Sequence, residues 1–217
     1  VAVITISRQY ASGGAAIASL VARRLRWELI DNAFVERVAD VAGMSPEEVA
    51  RLEERVPSFV ERLARALAGS SPELFLTAGD VVTAETMVPE QLLVRMTEAV
   101  IRQAVQRDHV VLVGRGAQAY IGQREDAVHV YVVASRDVRI RRAAERHHVE
   151  LAEAERMVDE TDSNRHRYVK THYGRKWDDP ATYDMVVNSG TFTYEECAEL
   201  IEAPVRLRGW AAGPSGG

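Results

Sequence analysis

Ser12, Gly13 and Gly14 make a small-residue turn between the apolar run Val1 to Ser7 and a helical pattern that begins near Ala15. A buried strand that breaks into such a turn and re-emerges as a helix points backbone N–H groups at a phosphate. In the pattern G-x-x-x-x-G-K-[ST], the first glycine permits the turn, the lysine reaches the terminal phosphates and the hydroxyl holds Mg²⁺. Aligned on Gly13, those places hold Arg8, Gly14 and Ala15. The cradle is present without its two usual side-chain tools. Arg8 stands where its guanidinium could fold over the loop and offer a bidentate fork to phosphate oxygens. The plainer alternatives are a surface arginine at a strand end and a glycine turn made for steric reasons alone.

Gly114-Arg115-Gly116 follows the apolar run His109 to Val113, at the edge where open α/β sheets bind ligands. The flanking glycines leave Arg115 room to reach inward, or mark only a tight strand exit. Residues 135–146 are the densest basic segment of an acidic chain, and on a helix Arg139, Arg142 and Arg146 recur at three- and four-residue steps on one face. Such a face would neutralise the charge that spreads over a phosphoryl group during transfer. The alternative is a solvated face paired with Glu145, Glu150, Glu153 and Glu155. Asp159, Asp162 and Ser163 share a helical face, with Arg165 three residues beyond Asp162; the set suits a ribose hydroxyl or a base, or is a surface ion pair.

Other chemistries lack their patterns. His109, His147, His148, His166 and His172 show no metal-ligand spacing, and with no H-E-x-x-H or Cys/His pattern no metal ligand is assigned. No G-x-S-x-G elbow exists and no G-x-G-x-x-G follows the first apolar run, which argues against hydrolase and dehydrogenase readings.

The scaffold these residues need is legible in the pattern around them. A chain of 217 residues, 47% hydrophobic and 27% charged, suits one compact domain with room for a small insertion. Its net charge of −5 argues against a duplex nucleic-acid partner, which calls for a basic face. Cys197 is the one cysteine, so an intrachain disulfide is excluded and a buried helical position is expected. No apolar run approaches the roughly 20 residues of a membrane span. The apolar start has neither a basic leader nor a small-residue cleavage site and reads as a strand, so a cytoplasmic protein without membrane partners is expected.

Strands are expected at Val1 to Ser7, His109 to Val113, Ala127 to Val133 and Tyr183 to Val187, with Trp27 to Ile30 a short apolar piece. Helices are expected at Gly13 to Arg26, Asp31 to Ala42, Ser45 to Arg55, Phe59 to Leu67, Pro89 to Gln106, Ser135 to His147, onward from Glu150, and at Tyr194 to Leu207 with a cap at Thr193. Near-continuous apolar strands alternating with helices imply a parallel sheet covered on both faces. Residues 69–87 read as loops and 211–217 as a flexible tail.

Taken in order, the run Ile4 to Gly14, Leu29-Ile30-Asp31, Val113-Gly114-Arg115-Gly116-Ala117, the Arg-rich helix, Asp162-Ser163 with Arg165, Trp177-Asp178-Asp179-Pro180, Tyr183-Asp184 and Val187-Asn188-Ser189-Gly190 resemble the cytidylate kinase-like family, a branch of the P-loop nucleoside monophosphate kinases. The resemblance runs from Val3 to about Ile201. It implies a three-layer α/β P-loop fold in one domain of residues 1–210, with a small helical acceptor-binding insertion at about 31–88 and an Arg-rich lid at about 135–176. It also implies transfer of the γ-phosphoryl group of ATP to CMP, dCMP or a related monophosphate, with Mg²⁺ carried on nucleotide oxygens because Ala15 offers no ligand. On this resemblance Arg8, Ser12, Gly13, Gly14 and Ala15 hold the donor, and Arg139 and Arg142 match the lid arginines. Arg115 matches the arginine of a Gly-Arg-Asp motif that meets the acceptor phosphate, with Gly116 in place of the Asp. Asp31, Arg37, Asp162 and Arg165 complete the acceptor side, and Val158 stands where true cytidylate kinases carry a further arginine.

Two other outcomes suit the same residues: a non-catalytic nucleotide-binding or regulatory module that keeps the fold without turnover, and a kinase for another small acceptor. Small-molecule nucleotides are the expected partners, and no oligomeric state is read.

Overall fold

The computed structural model describes residues 2–31 and 90–210. The chain divides into two compact units, Val1–Asn32 with Ala104–Gly217, and Ala33–Gln103. The first unit holds the sheet. In chain order the described elements are β1 (Val3–Arg8), α1 (Gly14–Leu25), β2 (Glu28–Ile30), α2 (Glu90–Arg107), β3 (Val110–Val113), α3 (Ala117–Ile121), β4 (Ala127–Val133), α4 (Arg136–His147), α5 (Leu151–Tyr173), β5 (Met185–Asn188) and α6 (Tyr194–Leu207). The strands lie in the order β2-β3-β1-β4-β5, and every pairing is parallel. β1 is central, with Ile6 paired to Val113 on one side and to Val130 on the other. That register brings Arg8 and the segment after Val113 out on the same, carboxyl edge of the sheet, where open α/β folds bind ligands.

Strand alternation divides the core. Ile4 and Ile6 of β1 and Val128, Val130 and Val132 of β4 pack with Ile17, Val21 and Leu25 of α1 and Cys197, Ile201 and Val205 of α6. On the opposite face Tyr131 packs with Ala119 of α3, Val169 of α5, Trp177 and Tyr183. Burying both faces of these strands is the reason they read as near-continuous apolar runs. α6 begins with a reciprocal cap, the Thr193 hydroxyl accepting from the Glu196 N–H while the Glu196 carboxylate accepts from the Thr193 N–H.

His129 is a polar side chain fully buried on β4. Its Nε2 lies 2.9 Å from the Gly122 carbonyl and its Nδ1 2.7 Å from the Thr5 hydroxyl. A carbonyl only accepts, so Nε2 donates and Nδ1 accepts from Thr5 in the neutral ring. Burial pushes the imidazole below its ordinary pKa, with the Gly122 carbonyl and Asp184 opposing.

The parallel sheet with helices on both faces is the expected architecture. Its edges differ in detail. The apolar piece Trp27 to Ile30 supplies the edge strand β2, and the last strand starts at Met185, with the preceding Tyr183 buried in the core. The five-residue α3 was not read from the sequence; it starts from Gly116 at positive φ. The helices expected between residues 32 and 89, the loops at 69–87 and the tail at 211–217 lie outside the described residues.

Candidate functional site

The loop from Arg8 to Gly13 is held mostly by backbone and by side chains of α4 and α5. Ser12 is fully buried; its hydroxyl donates to the carbonyls of Gln9 at 2.8 Å and Val132 at 3.2 Å, and its own N–H to Gln9 at 3.3 Å. Ser12 therefore shapes the turn and keeps no hydroxyl proton for a ligand. Gly13 follows at φ 79 as the N-cap of α1, with no side-chain cap and no acidic residue in the first turn. The first N–H groups of a helix have no intrahelical partner. Here, among the described residues, no acceptor takes those of Gly13, Gly14 or Ala15. A bare helix start of this kind favours an anion through orphan donors and dipole together.

Three arginines gather about the end of β1, next to that helix start in the chain. Arg8 ends β1 with its side chain threaded between two glycines. A Cβ on Gly14 would overlap the Arg8 Cβ, and a Cβ on Gly114 would overlap the Arg8 guanidinium. Burial, then Arg165 and Arg115, push the Arg8 guanidinium down to about 9, with Asp31 opposing; it stays charged at neutral pH. Arg165 donates from Nη1 to the Arg8 carbonyl at 2.8 Å and sits 5.9 Å from the centre of the Tyr10 ring. Burial lowers its pKa, opposed by Asp162 at 3.5 Å. Arg115 is half-buried at φ 50, between Gly114 at φ 74 and Gly116 at φ 66. Three successive left-handed residues are unusual, and for an arginine the conformation costs energy that the site must offset elsewhere.

The Arg-rich helix divides its arginines among different tasks. Arg139 is buried; it donates to the Ala134 carbonyl at 3.1 Å, the Tyr10 carbonyl at 3.3 Å and the Asp162 carboxylate at 2.7 Å. Arg142 donates to the Ser189 hydroxyl at 3.1 Å and carbonyl at 2.7 Å, and lies 5.3 Å over the Tyr194 ring. Ser189 in turn donates to the Ser12 carbonyl at 2.6 Å, so α4 reaches the loop a second way. Arg146 is exposed, and Arg136 pairs at the surface with Glu155 and Asp159, both at 2.7 Å. The shared face expected for Arg139, Arg142 and Arg146 is thus split by burial: one grips the loop, one grips the segment after β5 and one faces water.

Arg8, Ser12, Gly13, Gly14, Ala15, Arg115, Asp162 and Arg165 therefore converge on one sheet edge, with Asp31 close enough to act on Arg8. Arg37 lies outside the described residues. Val158 is fully buried against Ala11, Ala143 and Ala154, a packing position. Trp177, Asp179 and Tyr183 also work structurally: the Tyr183 hydroxyl donates to the Trp177 carbonyl at 2.6 Å, and Asp179 caps the turn at Pro180–Thr182. A cleft of about 470 Å³ opens next to Asp162, lined by Gln9, Ser163, His166, Lys170, Trp177 and Asp178 among others. The sequence assigns no site role to Ser189, Tyr194 or His129. The Asn188-Ser189-Gly190 run at the end of the last strand is the one cue to the first of them. No described helix is long and apolar enough to cross a membrane.

A parallel sheet in this order, with a glycine turn leading from the central strand into a helix, defines a P-loop kinase fold. Solved structures share it. An uncharacterized protein from Eubacterium ventriosum is 18% identical with a TM-score of 0.67, over 95% of this chain and 99% of that one. Shikimate kinase from Bacteroides thetaiotaomicron is 12% identical with a TM-score of 0.52, over 94% of this chain and 98% of that one. None of the curated proteins matches the chain. The profile of the cytidylate kinase-like family matches residues 3–191, and the chain belongs to that family.

Proposed function

We propose that the protein is a phosphotransferase that moves the γ-phosphoryl group of ATP to a nucleoside monophosphate, with CMP or dCMP the first candidates. The observation that carries this reading is the gathering of Arg115 and Arg165 about Arg8, whose stem lies against Gly14 at the uncapped start of α1, a dense positive field near orphan N–H donors. Family membership and the kinase fold support the same class. In such a transfer the acceptor phosphate oxygen bonds to the γ-phosphorus while the bond to the bridging oxygen breaks, and ADP leaves with the electron pair. The protein's contribution is positioning and charge stabilisation, with little demand for a general base.

In this reading the N–H groups of Gly13, Gly14 and Ala15 hold donor phosphate, and Arg115 and Arg165 hold the acceptor phosphate. The cleft beside Asp162 falls in the size range of small-ligand sites and suits the rest of the acceptor. Mg²⁺ rides on nucleotide oxygens, since Gly14, Ala15 and Ala16 offer no side-chain ligand and the Ser12 hydroxyl is spent on carbonyls. A cytoplasmic location goes with this substrate class. The test is a coupled assay of purified protein with ATP and each nucleoside monophosphate, run beside thermal melts with each nucleotide. ADP formation dependent on one monophosphate is expected. ATP binding without transfer to any acceptor would favour the non-catalytic module, a reading that the absent loop lysine itself suggests.

A further inference from the structure

We infer that Arg8 carries the charge that a loop lysine supplies in other P-loop enzymes, moved from the start of the helix to the end of the strand. This inference rests on the phosphotransferase reading above. Gly14 occupies the lysine place and is absent from the residues at positive φ, so its backbone does not call for glycine. The space does. Its Cβ would overlap the Arg8 Cβ and fall 2.8 Å from the Arg8 Cγ, so no side chain at 14 coexists with the arginine stem in this position. At the far end, Gly114 clears the ground for the guanidinium, whose Nη2 would lie 3.0 Å from a Cβ there. Lysine at 14 and arginine at 8 are thus alternatives for one volume.

The remaining arginines leave the role open. Arg139 is committed to Asp162 and two carbonyls, and Arg142 to Ser189. The Arg8 stem lies against Gly14 in the bare first turn of α1, and its guanidinium lies against Gly114, with Asp31 near enough to act on it. Arginine also differs from lysine in geometry: its planar fork engages two phosphate oxygens at once where lysine acts as a point charge. Arg8 would meet the oxygens of the transferring phosphoryl group as charge builds there.

The experiment uses Arg8→Met, which keeps an unbranched stem between the two glycines, and the relocation variant Arg8→Gly with Gly14→Lys. Calorimetry measures ATP and AMP binding to each folded protein, and the coupled assay measures turnover. Arg8→Met is expected to weaken ATP at least tenfold more than AMP and to lower turnover about a hundredfold, the range for one preorganised charge donor. The relocation variant should regain most of the ATP affinity and turnover, while Gly14→Lys alone should melt lower than the wild type. Wild-type ATP affinity in Arg8→Met, or a relocation variant that binds ATP no better than Arg8→Met, overturns the inference while leaving the phosphotransferase reading intact. Wild-type protein that binds no ATP removes both.

Discussion

Arg139 Nη1 stands 2.7 Å from Oδ2 of Asp162, and the other oxygen of the same carboxylate accepts from the Tyr10 N–H at 2.8 Å. Both partners are well shielded, with side-chain exposures of 8% and 19%, so water does little to screen the pair. The Arg-rich helix therefore holds the loop after β1 through the backbone of Tyr10, and its basic character is in part structural.

Removing one member of a shielded pair leaves the other charged and unpartnered, which costs about 3 kcal/mol or more. Arg139→Met should accordingly lower stability by about that amount in urea titrations, whereas Arg136→Ala, whose partners are at the surface, should leave the melting temperature nearly unchanged. An Arg139→Met protein as stable as the wild type but without activity would make Arg139 a mobile lid residue instead of a clamp.

Ser189 links two parts of the site, donating to the Ser12 carbonyl and accepting from Arg142. Ser189→Ala is expected to cost about 1–3 kcal/mol, the range for leaving buried partners unsatisfied. Faster amide hydrogen exchange at Gly13 to Ile17 should accompany the loss. Unchanged exchange there would sever the proposed tie between the loop and the segment after β5.

Arg115 holds a left-handed backbone that glycine adopts freely. Arg115→Gly should keep or raise the melting temperature, by up to about 1 kcal/mol of relieved strain, while weakening acceptor binding. Arg115→Val, branched at Cβ, should lose both stability and binding. A glycine variant that unfolds more readily would show that the side chain is needed for packing.

His129 gives the chain an acid sensitivity. Its folded-state pKa lies below the ordinary value of about 6.5, so as pH falls the unfolded chain takes up this proton first and stability declines. The contribution is complete above about pH 6.5 and is lost as pH falls from there toward the depressed folded value. Urea midpoints measured between pH 7.5 and 5 should fall more steeply for the wild type than for His129→Gln, which retains a donor and an acceptor. Parallel slopes would assign the acid response to other groups.

Much of this was legible because burial writes itself into composition. β1, β3 and β4 are covered on both faces and read as apolar runs, and the Thr193–Glu196 cap is visible as a spaced pair. β2 was harder, since a three-residue edge strand holds too few residues to show a period. The sheet edge where Arg8, Arg115 and Arg165 meet followed from motif order. Which arginine does what did not follow. Spacing places Arg139, Arg142 and Arg146 on one helical stripe, but only the packing of α5 against α4 buries the first and leaves the last in water. The fit of Arg8 between Gly14 and Gly114 was hidden for a similar reason, because the second glycine lies about a hundred residues away and nothing local connects them.

That fit bears on how such a loop can change over generations. Single substitutions lead from this arrangement to a lysine-bearing loop by two routes. Gaining the lysine first sets two side chains in one volume, and losing the arginine first leaves the loop with no cation of its own. If Arg8 carries the loop's charge, each intermediate is poorer than this arrangement, and a descendant keeps arginine unless both positions change together. The two loop chemistries would then mark separate lineages, and an intermediate bearing both residues should not persist.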